Sequence, residues 1–310
     1  MSYAPHIIMY HNNCPDGFTA AYVAKLRYPF AQLVGLDHGL SEEYITSLIS
    51  GCAETDVLMV DFSFRTREQN DMLAKSALSL RILDHHKTAQ KVLEGAPYAT
   101  FDLERSGAGL AWDFLFGKDS REACYDGDFE DRPWYVDYVE DRDLWRFKLP
   151  MSREVNAYIM TFPYDITGWD KMVNSGFMYA ATAGEAVILQ IEKYVREAVK
   201  QAQAGTLNIG DKHYTVGIVN IPYLNTSEVG HALAARYDIG LGWFERADGI
   251  IQFSARSIGD IDVSVIAQAF GGGGHKNAAG WQVPVGKGRE IIDTILGRVH
   301  PEPEQAFGAY

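Results

Sequence analysis

Arg81-Ile82-Leu83-Asp84-His85-His86-Lys87-Thr88 closes an apolar stretch with a carboxylate and two imidazoles. Two adjacent histidines beside an acid are costly to bury unless something binds them. Neutral imidazole with carboxylate suits Mn²⁺, Mg²⁺ or Zn²⁺. Taken alone, the tripeptide could equally sit on the surface. Two other stretches end in the same way: His6-Ile7-Ile8-Met9-Tyr10 runs into His11, and Val57-Leu58-Met59-Val60 runs into Asp61.

Each of these stretches is followed by a helix candidate, at residues 16–28, 66–76 and 88–94. A further strand candidate at 31–36 precedes a helix at 42–50. Alternating buried strands and helices predict an α/β fold with a doubly wound, mostly parallel sheet. Such sheets bind ligands at the carboxyl ends of their strands, which is where His11, Asp61 and Asp84-His85-His86 fall. In the first loop, His11-Asn12-Asn13-Cys14-Pro15-Asp16-Gly17, Asp16 reads either as a metal ligand or as the N-cap of the following helix. Cys14 reads first as a small buried filler.

Beyond the third strand, residues 98–101 form a strand candidate, and Ser106-Gly107-Ala108-Gly109 opens a helix through Phe116. The small residues there suit close packing on the sheet, or the approach of a phosphate to helix amides. Residues 118–132 are acidic and aperiodic, an expected surface excursion. From Trp134 to Trp145 an aromatic and aliphatic helix carries Asp137 and Asp141 at i and i+4 on one face. Asp141 is a candidate fourth carboxylate, and Arg142 a candidate for a phosphate or a salt bridge.

Residues 179–204 have the apolar spacing of an amphipathic helix, with Gly205 as its stop. This helix would connect two domains. Strand candidates at 214–220, 239–244 and 250–257, with helices at 227–237 and 262–270, predict a smaller α/β domain with a mixed sheet. Ala247-Asp248-Gly249 marks a tight turn. The distinctive piece is Gly271-Gly272-Gly273-Gly274-His275-Lys276-Asn277-Ala278-Ala279-Gly280. Four glycines free the backbone to approach a ligand and offer amides to an anion. His275 and Lys276, with Arg256 shortly before, are charge-assisted phosphate donors.

With 310 residues, 47% hydrophobic and 22% charged, the chain is long enough for two cores. A net charge of −13 argues against a broad grip on long duplex DNA, though a carboxylate site loaded with cations can still take a phosphate. No apolar run approaches the ~20 residues of a membrane span. The first residues lack a secretory signal's basic and apolar regions. Three cysteines without a Cys-x-x-Cys pair predict a reducing, cytoplasmic setting.

Asp84-His85-His86 and Gly272-Gly273-Gly274-His275 together resemble the two defining motifs of the DHH/DHHA1 phosphoesterase superfamily, and the resemblance runs over nearly the whole chain. It implies a DHH catalytic domain over 1–180, a connecting helix over 181–205 and a DHHA1 substrate-binding domain over 206–310. It also implies two Mn²⁺ ions, with Mg²⁺ or Co²⁺ as substitutes. Asp61 would bridge them, Asp16, His85 and Asp141 would complete one, and His11 would help hold the other. Asp84 and His86 would be catalytic, while Arg256, Gly272, Gly273, Gly274 and His275 would bind substrate.

One departure stands out: the family's first loop commonly has two aspartates one residue apart, and here only Asp16 is present. The missing acid falls at Cys14 or at Phe18, and the Asp-Gly-x-Thr-x-Ala continuation favours Cys14. Family II pyrophosphatases share the first domain but not the glycine motif. The expected activity is hydrolysis of short oligonucleotides or linear dinucleotides to mononucleotides by water activated between two metals. Exopolyphosphatase, cyclic-dinucleotide phosphodiesterase and low-turnover nucleotide binding are the alternatives. A homodimer is compatible with this reading.

Overall fold

In a computed structural model of the protein, residues 4–117 and 132–298 are described; the predicted acidic excursion, save Arg132, and Cys124 lie outside them. The chain divides into two compact units, residues 1–190 and 191–310. Among the described residues no helix is long and apolar enough to cross a membrane.

The first unit is built on five parallel strands: β1 (Ile7–His11), β2 (Gln32–Leu36), β3 (Asp56–Val60), β4 (Ser79–Asp84) and β5 (Ala99–Phe101). Their order is β2-β1-β3-β4-β5. Side chains alternate between the two faces of a strand. Here both faces are apolar, as a parallel sheet covered on both sides requires. Ile8, Leu58, Val60 and Leu83 pack on one face under α1 (Pro15–Arg27), α5 (Gly107–Phe116) and α6 (Trp134–Asp143). Met9, Val57, Met59 and Ile82 pack on the other, with α2 (Glu42–Gly51) and α3 (Arg67–Ser76). Arg81, which interrupts the apolar run in β4, is exposed and covers the ring of Phe114 at 5.4 Å.

Most element ends follow the sequence signals. Thr66 and Gln69 form the reciprocal capping box that starts α3. A short α4 (Lys87–Val92) follows β4. Two helices carry no clear prior signal, α7 (Ser152–Ile159) and α8 (Ile166–Ser175); their Val155, Ile159, Trp169 and Met172 complete the first face of the core. The amphipathic helix, α9 (Phe177–Lys200), stops four residues earlier than its periodicity suggests. Gly205 does not stop it: this glycine lies within strand β6 (Gln203–Ile209), opposite Val216.

The second unit has six strands in a mixed sheet: β6, β7 (Lys212–Asn220), β8 (Ile239–Glu245), β9 (Ile250–Arg256), β10 (Gly273–His275) and β11 (Ala278–Pro284). The order is β10-β11-β9-β8-β7-β6, with only β7 and β8 parallel. The parallel pair needs a crossover, supplied by α10 (Thr226–Ala234). On the core side, Val216, Leu241, Phe253 and Trp281 pack against α11 (Val263–Ala269) and α12 (Val285–Ile295).

Register places His275, Ala278, Arg256, Gly240, Gly217 and Ala204 in one row across all six strands. The small members of this row let α10 lie close to the sheet. A Cβ at Gly240 would collide with the backbone carbonyl of Gly230 in α10. Gly240→Ala should therefore overpack this contact and cost about 1–3 kcal/mol. Urea unfolding with an intrinsic tryptophan readout measures the loss.

Candidate metal centre

The strand order reverses direction around β1, since the chain passes from β1 to β2 on one side and back to β3 on the other. This switch point leaves an opening at the carboxyl ends of β1 and β3, the usual ligand position of such sheets. His11 ends β1, Asp61 immediately follows β3, and Asp84 ends β4 with His85 and His86 after it. The three apolar runs thus end in neighbouring strands and bring their polar tips together.

Asp61 is at the centre. It is 1% exposed and has φ of 54°, a left-handed conformation that non-glycine residues adopt at a cost. Its Oδ2 is 3.5 Å from Nδ1 of His11, and its Oδ1 is 3.1 Å from Nε2 of His85. The same Nε2 is 3.5 Å from Oδ2 of Asp16 and 3.6 Å from Oδ2 of Asp143. Ligand atoms of Asp16, Asp61 and His85 all lie within 4.8 Å of one another, as do those of His11, Cys14 and Asp61, and those of Asp61, Asp84 and His86.

Neighbouring elements hold these groups in place. Asp16 is not the N-cap of its own helix: that position is Cys14, which makes no side-chain cap hydrogen bond. Its carboxylate instead accepts from the amides of Gly107 at 2.6 Å and Ala108 at 2.9 Å, the free N-terminus of α5. The small residues at the start of α5 therefore serve close packing. A Cβ on Gly107 would stand 2.5 Å from the Cβ of Asp61. Glu140 of α6 accepts from the amide of Ser106 at 3.1 Å and pairs with Arg105 at 3.2 Å, which ties α6 to the same helix start. Asp84 accepts from its neighbours' amides and from Nδ1 of His86 at 2.8 Å, while its Oδ2 accepts from the Ser63 hydroxyl.

The electrostatics are those of crowded acids. Burial, reinforced by Asp143 and Asp61, pushes the Asp16 carboxyl well above the usual carboxylate range, although His85 and the Ala108 amide oppose it. Burial also raises Asp143. For Asp61 burial works in the same direction, but hydrogen bonds from His11 and His85 outweigh it and hold the carboxyl well below its usual range. Burial disfavours charge on both histidines, yet their acidic neighbours win: His11 is raised by Asp61 and Cys14, and His85 by Asp143, Asp61 and Asp16. Oδ1 of Asp61 and Oδ2 of Asp143 are buried without a hydrogen bond of good geometry. Protons alone compensate this cluster poorly. Convergent carboxylates and imidazoles with unpaired oxygens fit divalent cations.

The structure brings together His11, Cys14, Asp16, Asp61, Asp84, His85 and His86. It does not bring in Asp141. That carboxylate accepts from the amides of Lys148 at 2.9 Å and Leu149 at 3.2 Å, pinning a turn in which Trp145 and Phe147 have positive φ. Residues two apart on a helix point in nearly opposite directions. With Asp141 turned to the 144–149 loop, Asp143 is the one that faces His85. Helical spacing singles out Asp137 and Asp141, whereas the acid of this helix that lies beside His85 is Asp143. A second residue missed in the sequence is His38. It follows β2, a fourth strand end, and its exposed ring stacks on Phe62 at 5.3 Å and lies 4.7 Å from the ring of His11.

In the second unit, Arg256 donates to the Ser227 hydroxyl at 2.7 Å and to the Ala255 carbonyl at 2.9 Å. His275 lies two strands away in the same row, with Ala278 between them. The glycine run is not the open anion loop expected. Gly273 and Gly274 belong to β10, an edge strand paired with β11. Side chains at Gly272 and Gly274 would collide with the backbone of β11, and Gly271 and Gly274 have φ of 80° and 139°. Close strand packing therefore requires glycine at these positions without any ligand.

The two acids of α6 should separate in experiment. Asp143→Asn is expected to weaken Mn²⁺ binding by isothermal calorimetry about tenfold or more, with little change in urea stability. Asp141→Asn should do the reverse: about 1–3 kcal/mol lost from stability, because two amides lose a charged acceptor.

Comparisons with known proteins agree with this architecture. Residues 230–300 match the family model described as the DHHA1 domain. An uncharacterized protein, R106 of Acanthamoeba polyphaga mimivirus, is 28% identical over 294 residues, covering 88% of this chain and 66% of that protein. Among solved structures, exonuclease RecJ bound to manganese has a TM-score of 0.53 at 14% identity, over 95% of this chain and 90% of that one. RecJ in complex with Mn²⁺ from Thermus thermophilus has a TM-score of 0.51 at 13% identity, over 95% of this chain and 52% of that one. Those two structures share the fold of this chain. Residues 230–300 thus form a DHHA1 domain, and with the Asp84-His85-His86 strand end and the fold shared with the two RecJ structures the chain is similar to the DHH/DHHA1 phosphoesterase superfamily.

Proposed function

We propose that the protein is a divalent-metal-dependent phosphodiesterase that cleaves short oligonucleotides or linear dinucleotides to mononucleotides. The observation that carries this reading is the convergence of Asp16, Asp61, His85 and Asp143, with Asp61 shared by a second group containing His11. Asp16, His85 and Asp143 would hold one ion, His11 would help hold the other, and Asp61 would contact both. Manganese is the proposed ion for the Asp16–His85–Asp143 position, as in the RecJ structures of the same fold. Bound there, the cations would supply neutralisation of phosphoryl charge and a lowered pKa for water.

The protein's own groups do the positioning. Asp84 holds His86 by Nδ1, which fixes the ring beside the centre and makes His86 the proposed contact to an attacked phosphoryl oxygen. The amides of α5 orient Asp16 and take part of its charge. In the DHHA1 unit, Arg256 and His275 are the proposed donors to the substrate's phosphate or terminal nucleotide. The charge of −13 favours short substrates, because each added phosphate meets a repulsive surface.

The test is release of mononucleotide from a labelled dinucleotide by the full chain with Mn²⁺. Asp61→Asn should lower turnover by about 10²–10³-fold or more. Undiminished hydrolysis in excess chelator would overturn the metal mechanism. Orthophosphate release from polyphosphate that outpaces dinucleotide cleavage would overturn the substrate.

A further inference from the structure

The first loop offers two positions for the acid that the superfamily pattern expects, and the structure separates them. Phe18 is 1% exposed, with its ring 4.9 Å from Trp169 and 5.6 Å from Tyr10, so it belongs to the core. Cys14 is only partly buried, makes no cap hydrogen bond, and offers its sulfur within 4.8 Å of ligand atoms from His11 and Asp61. Independent observations point to a bound group here. Nδ1 of His11 is buried without a hydrogen bond of good geometry, and it lies 3.5 Å from Oδ2 of Asp61, a carboxylate 99% buried. Pro15 at the first helical position and α1 behind it fix the loop, so the sulfur does not depend on a mobile segment to reach the cluster.

We propose that His11, Cys14 and Asp61 form a mixed nitrogen–sulfur–oxygen metal position that selects zinc- or cobalt-class ions over manganese and magnesium. The position built on Asp16, His85 and Asp143 has two carboxylates and one imidazole and remains suited to manganese or magnesium. A thiolate is a soft donor, and affinity for nitrogen and sulfur sets rises from Mn²⁺ to Co²⁺ and Zn²⁺. On coordination the Cys14 thiol gives its proton to water and the sulfur takes the metal bond; no oxidant is needed. The centre is then built for two different ions. This inference rests on the metal half of the proposed function and not on its substrate.

Anaerobic titration of the full chain with Co²⁺ tests it. A near-ultraviolet sulfur-to-cobalt charge-transfer band should appear, persist in Cys52→Ala and Cys124→Ala, and vanish in Cys14→Ser. Cys14→Asp should also lack the band, and its preference for Zn²⁺ over Mn²⁺, from competition calorimetry, should fall by about tenfold or more. A wild-type protein saturated with cobalt that shows no such band overturns the proposal without any variant. So does a band that survives in Cys14→Ser, or an unchanged metal preference in Cys14→Asp. The outcomes separate from those for activity: a sulfur–cobalt band without any phosphodiester cleavage refutes the proposed reaction alone, and cleavage without the band refutes the sulfur site alone.

Discussion

Three carboxylates, from Asp16, Asp61 and Asp143, converge on one imidazole where little water reaches them. Like charges at this spacing repel strongly in a poorly solvated site, and one buried histidine cannot neutralise all three. Much of the surrounding structure makes sense as a response to this constraint. The amino terminus of α5 is aimed at Asp16, so helix amides take part of its charge. Asp61 is forced into a left-handed backbone conformation, with a glycine against its side chain at position 107. These arrangements hold the acids in place but leave an oxygen of Asp61 and one of Asp143 without a hydrogen bond of good geometry. Positive charge supplied from outside the chain, as the proposed function requires, would complete the balance.

The parallel sheet makes such a concentration possible. Its central strands β1 and β3 are apolar on both faces and buried between their end residues, so polar side chains gather at their ends. Reversal of the winding direction at β1 opens those ends to solvent between β1 and β3. Asp84 shows how one acid can serve several neighbours: it satisfies two amides, one imidazole and one hydroxyl, and so locks the end of β4 to the loop that follows Asp61.

The strand-end acids and imidazoles were legible in the sequence because a short apolar run followed by Asp or His is a local pattern. His11, Asp61 and His85 needed only the rule that parallel sheets bind at their carboxyl ends. Asp143 was not legible in the same way. Choosing between it and Asp141 depends on the rotation of α6, which is set by Glu140 reaching the start of α5 and by Asp141 capping a turn with two left-handed residues. Both constraints join residues distant in the chain or conformations that periodicity does not reveal. His38 lacks that pattern, because Asp37 separates it from the end of β2 and the strand itself is interrupted by Gly35. The glycine run was legible as unusual, but the packing that requires it was not: the close approach to β11 demands glycine at positions 272 and 274 before any ligand is considered.

The central claim is that Asp61 joins two metal positions in one centre. The most direct measurement is the metal content of the full chain after equilibration with divalent cations and removal of free ions, by inductively coupled plasma mass spectrometry. The account predicts two tightly held ions per chain in the wild type and loss of both in Asp61→Asn, with the protein still folded by circular dichroism. Retention of a single ion or none by the wild type, or of both ions by the folded Asp61→Asn variant, would contradict it.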